Sequence, residues 1–312
     1  MSPNPSTFNA TSLELELHVW HVQVEQGVYF SLVVFGGLVL LPLVLLTFAF
    51  AKRGSRNSSL INFLAGLSIF SLGIVVLPLT GHLQTPVPPR NICLAQLGTI
   101  YPGLIITSVA AVMLVLQLLL TLPGSARPLH GAVNVTIAAS PVASGVGYTI
   151  IQTSVAAKKA DMLVLTRGHL VCSFDVGSPF FFRKGPLVIL AIAFVIAIAV
   201  SGYMWVRMRA TLRRIGAWQW KAMTQSEHGP WMSILLRMIA FEILATVAAL
   251  LIILSIATAN PAVHTLAVGF GGITPLLAFL VFGTVDTVRT VWFRWCFDVR
   301  DYAKPKTVEA EV

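Results

Sequence analysis

Residues 131–152 read GAVNVTIAASPVASGVGYTIIQ. The stretch carries no charged residue, yet it is so rich in alanine, glycine, serine and threonine that it barely reaches the apolarity of a spanning helix. Such a helix needs about 20 mostly apolar residues, and small residues let it press closely against neighbours in lipid. The reading is therefore a membrane span packed among other spans, with a buried re-entrant or surface segment as the alternative. If the stretch crosses, the two chain ends lie on opposite sides of the membrane. If it does not, they share one side.

The rest of the chain makes that question decisive. Of its 312 residues, 56% are hydrophobic and 11% charged, against about 25% charged in a soluble domain. Clear apolar runs lie at roughly 28–50, 60–80, 97–122, 186–206, 231–256 and 262–283. The net charge of +9 raises the question of nucleic acid, but the positive residues sit in the gaps between apolar runs, where a membrane accounts for them. The seven His and three Cys form no ligand-spaced cluster, so neither a metal nor a cofactor is expected. Residues 1–27 hold three Glu and no Lys or Arg, unlike a secretory signal. They read as an extracellular tail, followed by a membrane domain over 28–283 and a cytoplasmic tail over 284–312.

Lys and Arg accumulate in short cytoplasmic loops. With seven spans and the N-terminus outside, the inner segments hold 14 of them and the outer ones 6, five of the latter in the long 153–185 loop. The expected fold is thus an all-α, seven-transmembrane helix bundle with its C-terminus in the cytoplasm. The 153–185 loop then lies outside. Within it MLVLT (162–166) and HLVCSF (169–174) are β-prone runs joined by Arg-Gly, a hairpin signature. Cys93 and Cys172 are the two cysteines placed outside, where disulfides form and persist, so they are expected to bond; two separate buried thiols are the alternative. A hairpin stapled to the top of span three would form a lid, as suits a protein that binds something from outside.

This arrangement resembles a G-protein-coupled receptor. VEQGVYFSLVV (24–34) and PLLAFLVFGTVDTVRTVW (275–292) are similar to the seven-span receptor-like group of mushroom-forming fungi, and FLVFGT is loosely similar to fungal lipopeptide pheromone receptors. The resemblance implies a plasma-membrane receptor for a small, lipid-like or peptide ligand, signalling to a heterotrimeric G protein. The rhodopsin-like switch residues do not carry over. The end of span three reads QLLLTLPGSARP, without an acidic-Arg-aromatic triplet, and Pro275 is followed by LLAF rather than x-x-Tyr. Span seven has no Lys for a retinal Schiff base.

Ionisable groups within spans are functional candidates by default, and three fall there: Arg237, Glu242 and His264. Arg237 and Glu242 are about 140° apart around a helix, so they do not pair with each other. Arg237 is expected to pair with Asp286 at the inner end of span seven, or else to snorkel. Gln96, Tyr101, Gln152 and His264 lie in the outer halves of spans and are candidate ligand contacts. The inner segment YMWVRMRATLRRIGAWQWKAM carries Arg207, Arg209, Arg213, Arg214 and Lys221 among tryptophans, which suits anionic lipid and, in a receptor, a G protein. VRTVWFRWCFDVRDY (288–302) is expected to be an amphipathic helix on the inner leaflet, with Cys296 open to palmitoylation. Asn9 heads an outer glycosylation sequon; the one at Asn57 faces inside. A transporter or channel is the rival reading, but three ionisable groups and no internal repeat make a poor pathway. No His, Asp or Cys cluster within the spans suggests an enzyme.

Overall fold

The computed structural model describes residues 26–50, 57–82, 89–120, 131–158, 163–165, 172–174, 180–225 and 261–284, with most positions between 237 and 254 and Val288. Helix falls on each of the seven apolar runs. In chain order these are α1 (26–50), α2 (Ser58–Leu79), α3 (Arg90–Leu120), α4 (Gly131–Lys158), α5 (Phe180–Gln225), α6 (the described residues between 237 and 254) and α7 (Pro261–Gly283). Among the described residues, four helical stretches are long and apolar enough to cross a membrane: Gln26–Phe48, Ser58–Leu79, Arg90–Leu120 and Val188–Arg207.

The helix ends correct two expected boundaries. Span three was expected to begin near residue 97, but α3 starts at Arg90, so Cys93 lies inside a helix rather than ahead of one. The 207–230 segment was expected to be a loop, but α5 runs unbroken for 46 residues, about 69 Å. No proline or glycine pair interrupts its basic stretch, so nothing local stops the helix where the apolar run ends.

The helix α4, 28 residues and about 42 Å long, has a pattern that composition hides. Ile137, Pro141, Gly145, Tyr148, Gln152 and Ala156 recur at helical spacing and are buried. Val135, Val142, Val146 and Ile150 face outward. The buried stripe thus includes Tyr148 and Gln152 while valine and isoleucine side chains lie exposed, the reverse of a water-exposed helix. Several hydroxyls of α4 bond to the helix's own backbone: Thr136 donates to Ala132 O (3.0 Å), Thr149 to Gly145 O (2.8 Å), Thr153 to Thr149 O (2.7 Å) and Ser154 to Ile150 O (2.6 Å), whereas the buried Ser140 hydroxyl has no hydrogen-bond partner among the described residues. Internal satisfaction of this kind is what a segment away from water requires.

Packing is tightest where small residues let backbones meet. A Cβ at Gly103 of α3 would lie 2.7 Å from Phe70 Cα and 2.9 Å from Gly66 O, and one at Gly73 of α2 would lie 2.7 Å from Ile100 N. On the other side of the bundle, a π-helical turn over Val34–Leu40 in α1 brings Gly36 against α7, where a Cβ would stand 3.1 Å from Leu276 Cα. The half of the bundle away from the hairpin is filled by Leu41, Phe63, Leu64, Leu114, Met204 and Phe282 from five helices.

The ends of α2 show why the chain turns where it does. Asn57 caps the N-terminus, its side-chain oxygen accepting from Leu60 N–H at 3.1 Å. At the other end Gly81 adopts φ +74°, and His82 N–H closes onto Leu77 O at 3.1 Å, a left-handed stop that favours glycine. The inner sequon at Asn57 therefore has a structural task. Asn57→Ala should lower stability by about 1 kcal/mol, and Asn57→Asp should retain it; thermal unfolding in detergent reads both.

The expected hairpin is present. β1 (Leu163–Leu165) pairs antiparallel with β2 (Cys172–Phe174), in the register Leu163 with Phe174 and Leu165 with Cys172. The Arg-Gly turn at 167–168 lies outside the described residues. So do Asn9, Asp286, Cys296 and the rest of the amphipathic helix expected over 288–302; Val288 alone is described there, helical and buried.

Candidate functional site

At one end of the bundle, a disulfide, a hydrogen bond and apolar packing hold the hairpin. Cys93 and Cys172 are joined in a disulfide with their Cα atoms 5.4 Å apart. One turn along α3, Gln96 is fully buried, and its Oε1 accepts the Cys172 N–H at 2.8 Å. Cys172 is thus held by side chain and main chain at once. Leu77, Leu97 and Ala156 close around the sulfurs, joining α2, α3 and α4 beneath the hairpin.

Directly below, the Tyr101 ring of α3 meets the Tyr148 ring of α4 edge-on, with centroids 6.4 Å apart. Gln152, one turn beyond Tyr148 on α4, is 1% exposed, and neither atom of its carboxamide has a hydrogen-bond partner among the described residues. Leaving such a group unmatched costs about 1–3 kcal/mol. Of the four expected ligand contacts, Tyr101 and Gln152 therefore share the α3–α4 seam, while Gln96 braces the hairpin backbone. His264 lies in the first turn of α7, with its side chain outside the described residues. Tyr148 was missed by sequence reasoning; its signal was its position four residues before Gln152.

At the inner end, neighbouring helices are joined pairwise by side-chain hydrogen bonds. Ser59 Oγ of α2 donates to Gln117 Oε1 of α3 at 2.9 Å, and Asn62 Nδ2 of α2 donates to Ala138 O of α4 at 2.7 Å. Ser201 Oγ of α5 donates to Glu242 Oε1 of α6 at 2.9 Å. Arg237 of α6 donates to Val281 O at 2.6 Å, to Thr284 Oγ1, and to Thr284 O at 3.1 Å. A cation at the C-terminal carbonyls of α7 also suits the helix dipole. Arg237 does join α6 to α7, and the partners seen are these oxygens. Phe241 adds an edge contact to Phe63 of α2 (5.3 Å between centroids) and a tilted one to Phe282 of α7 (5.8 Å).

The basic part of α5 begins with two stacked pairs: the Arg207 guanidinium over the Tyr203 ring at 5.6 Å, and that of Arg209 over the Trp205 ring at 4.8 Å. Aromatic and basic residues together mark a membrane–water interface. From Arg209, α5 continues sixteen residues to Gln225, about 24 Å further, carrying Arg213, Arg214 and Lys221. Among the described residues, no three His, Cys, Asp or Glu side chains gather where a metal ion could sit.

These features define a multi-pass membrane protein, a helical bundle with a disulfide-anchored hairpin at one end. Among solved structures, the chain is similar to the crystal structure of squid rhodopsin, with a TM-score of 0.55 and 14% identity, over 92% of this chain and 87% of that one. No family model matches the sequence, and no curated protein is similar to it.

Proposed function

We propose that the chain is a seven-span receptor of the G-protein-coupled type, with its N-terminus outside and its C-terminus in the cytoplasm. It takes a small, lipid-like or peptide ligand at its outer end and signals to a heterotrimeric G protein. The observation that carries this reading is the hairpin bound to α3 by Cys93–Cys172 and Gln96 at one end of a rhodopsin-like bundle. A disulfide belongs to the oxidising side of a membrane, which orients the molecule. The crossing of α4 is supported by the exposed Val135, Val142, Val146 and Ile150 and by the Thr149 and Thr153 hydroxyls bonded to its own backbone. The ligand contacts are assigned to the α3–α4 seam at Tyr101 and Gln152, with His264 at the mouth. The inner docking surface is assigned to the α5 extension with Arg207, Arg209, Arg213, Arg214 and Lys221. The likeness of residues 24–34 and 275–292 to fungal receptors belongs to the same reading.

The test is guanine-nucleotide exchange on a panel of purified G proteins, with the full chain in nanodiscs. The expected result is accelerated exchange on at least one of them, reduced several-fold when Arg213, Arg214 and Lys221 are changed together to Gln. Unaltered exchange on every G protein, with solute flux across liposomes holding the chain, would replace the receptor with a transporter.

A further inference from the structure

The inner half of α6 is fastened on two opposite sides within six residues. Arg237 reaches α7, and Glu242 reaches α5. The five-residue spacing puts them about 140° apart on the helix, so each can let go while the other holds. The α5 side depends on one directional contact more than the α7 side does. Within the span Val188–Arg207, α5 buries Ala193, Ala197, Ser201 and Met204. Three of these four are small, and small apolar side chains pack with little preference for register. Ser201 and Glu242 are themselves 5% and 9% exposed. Among the described residues Glu242 makes no ion pair, so the Ser201 hydroxyl is what engages its carboxyl group. On the α7 side, Arg237 makes three hydrogen bonds and Phe241 packs on Phe282.

We infer that the Ser201–Glu242 hydrogen bond is the latch that sets α6 against α5, separable from the Arg237 attachment to α7, so that breaking it lets α6 move from α5 while remaining on α7. The inference concerns the bundle itself and stands whether or not the protein couples to a G protein.

Electron–electron resonance between paired spin labels tests it, on the full chain in nanodiscs. Cys296→Ser leaves the bonded pair as the remaining native cysteines. Labels replace the exposed residues Val206 and Ala240 to read α5 against α6, or Ala240 and Leu280 to read α6 against α7. Ser201→Ala and Glu242→Leu should each lengthen and broaden the α5–α6 distance, by about 2 Å, the scale of helix shifts at packed interfaces. The two together should do no more than either. Glu242→Gln keeps an acceptor oxygen and should hold the parent distance, and the α6–α7 distance should stay unchanged throughout. A parent-like α5–α6 distance in Ser201→Ala overturns the latch. So does an effect of Glu242→Leu that Ser201→Ala does not share, since the bulk or charge at 242 would then be responsible. Receptor activity enters neither readout, so a failed latch leaves the proposed function untouched.

Discussion

Gly103→Val is expected to abolish the folded bundle. The new side chain would start 2.7 Å from Phe70 Cα and 2.9 Å from Gly66 O, and both are main-chain atoms that cannot turn aside. Overpacking a site with flexible neighbours costs about 1–3 kcal/mol. Here α2 and α3 must separate along a seam that continues through Gly66 and Gly73, so a loss of about 4 kcal/mol or more is expected. The readout is the monodisperse yield in mild detergent, with the melting temperature of whatever survives. Gly147→Ala is the control. Gly147 sits inside α4 with nothing within 4 Å of its would-be Cβ, so alanine should be neutral or stabilise by about 0.5–1 kcal/mol. Equal tolerance of the two changes would mean that α2 and α3 do not meet as described.

Loss of the Cys93–Cys172 bond is expected to have the second largest effect. The bridge spans 79 residues, and closing so long a loop is worth about 4–5 kcal/mol by chain entropy. Helices that persist in an unfolded membrane protein reduce this to about 2–4 kcal/mol. Cys93→Ser, Cys172→Ser and the double change should lower the melting temperature by similar amounts, and a reductant should do the same to the parent. Maleimide labelling of the denatured chain should count one thiol before reduction and three after it, since the sequence holds three cysteines. Three thiols before reduction would place the hairpin in a reducing compartment and remove the basis for the proposed orientation. Gln96→Leu should act in the same direction but less, because it removes one hydrogen bond to Cys172 while the covalent tie remains.

The two outcomes depend on features that differ in how openly the sequence displays them. Cysteine pairing was legible once the spans were counted, because a bilayer sorts loops into two compartments and only two of the three cysteines fall in the outer one. The hairpin was legible for a similar reason: β-prone runs either side of Arg-Gly have few other uses in a loop between two apolar runs. The polar residues were legible as exceptions in apolar runs, but their tasks were not. Gln96 has the same appearance in sequence as Gln152, yet one braces a strand and the other is left unmatched on the α3–α4 seam. Ser201 was passed over because hydroxyls are common in these helices and most bond to their own backbone.

What the sequence determined by itself was the membrane character of the chain, the seven helical runs, the outer hairpin and the cysteine pair. These follow from composition and periodicity, which act over one helix or one loop at a time. The tertiary structure alone decided which glycines carry the α2–α3 seam, that α4 buries Tyr148 and Gln152, and that Arg237 and Glu242 reach α7 and α5. Those are relations between segments far apart in the chain, and in lipid they depend on the fit of particular atoms rather than on an apolar drive that a hydropathy pattern could reveal.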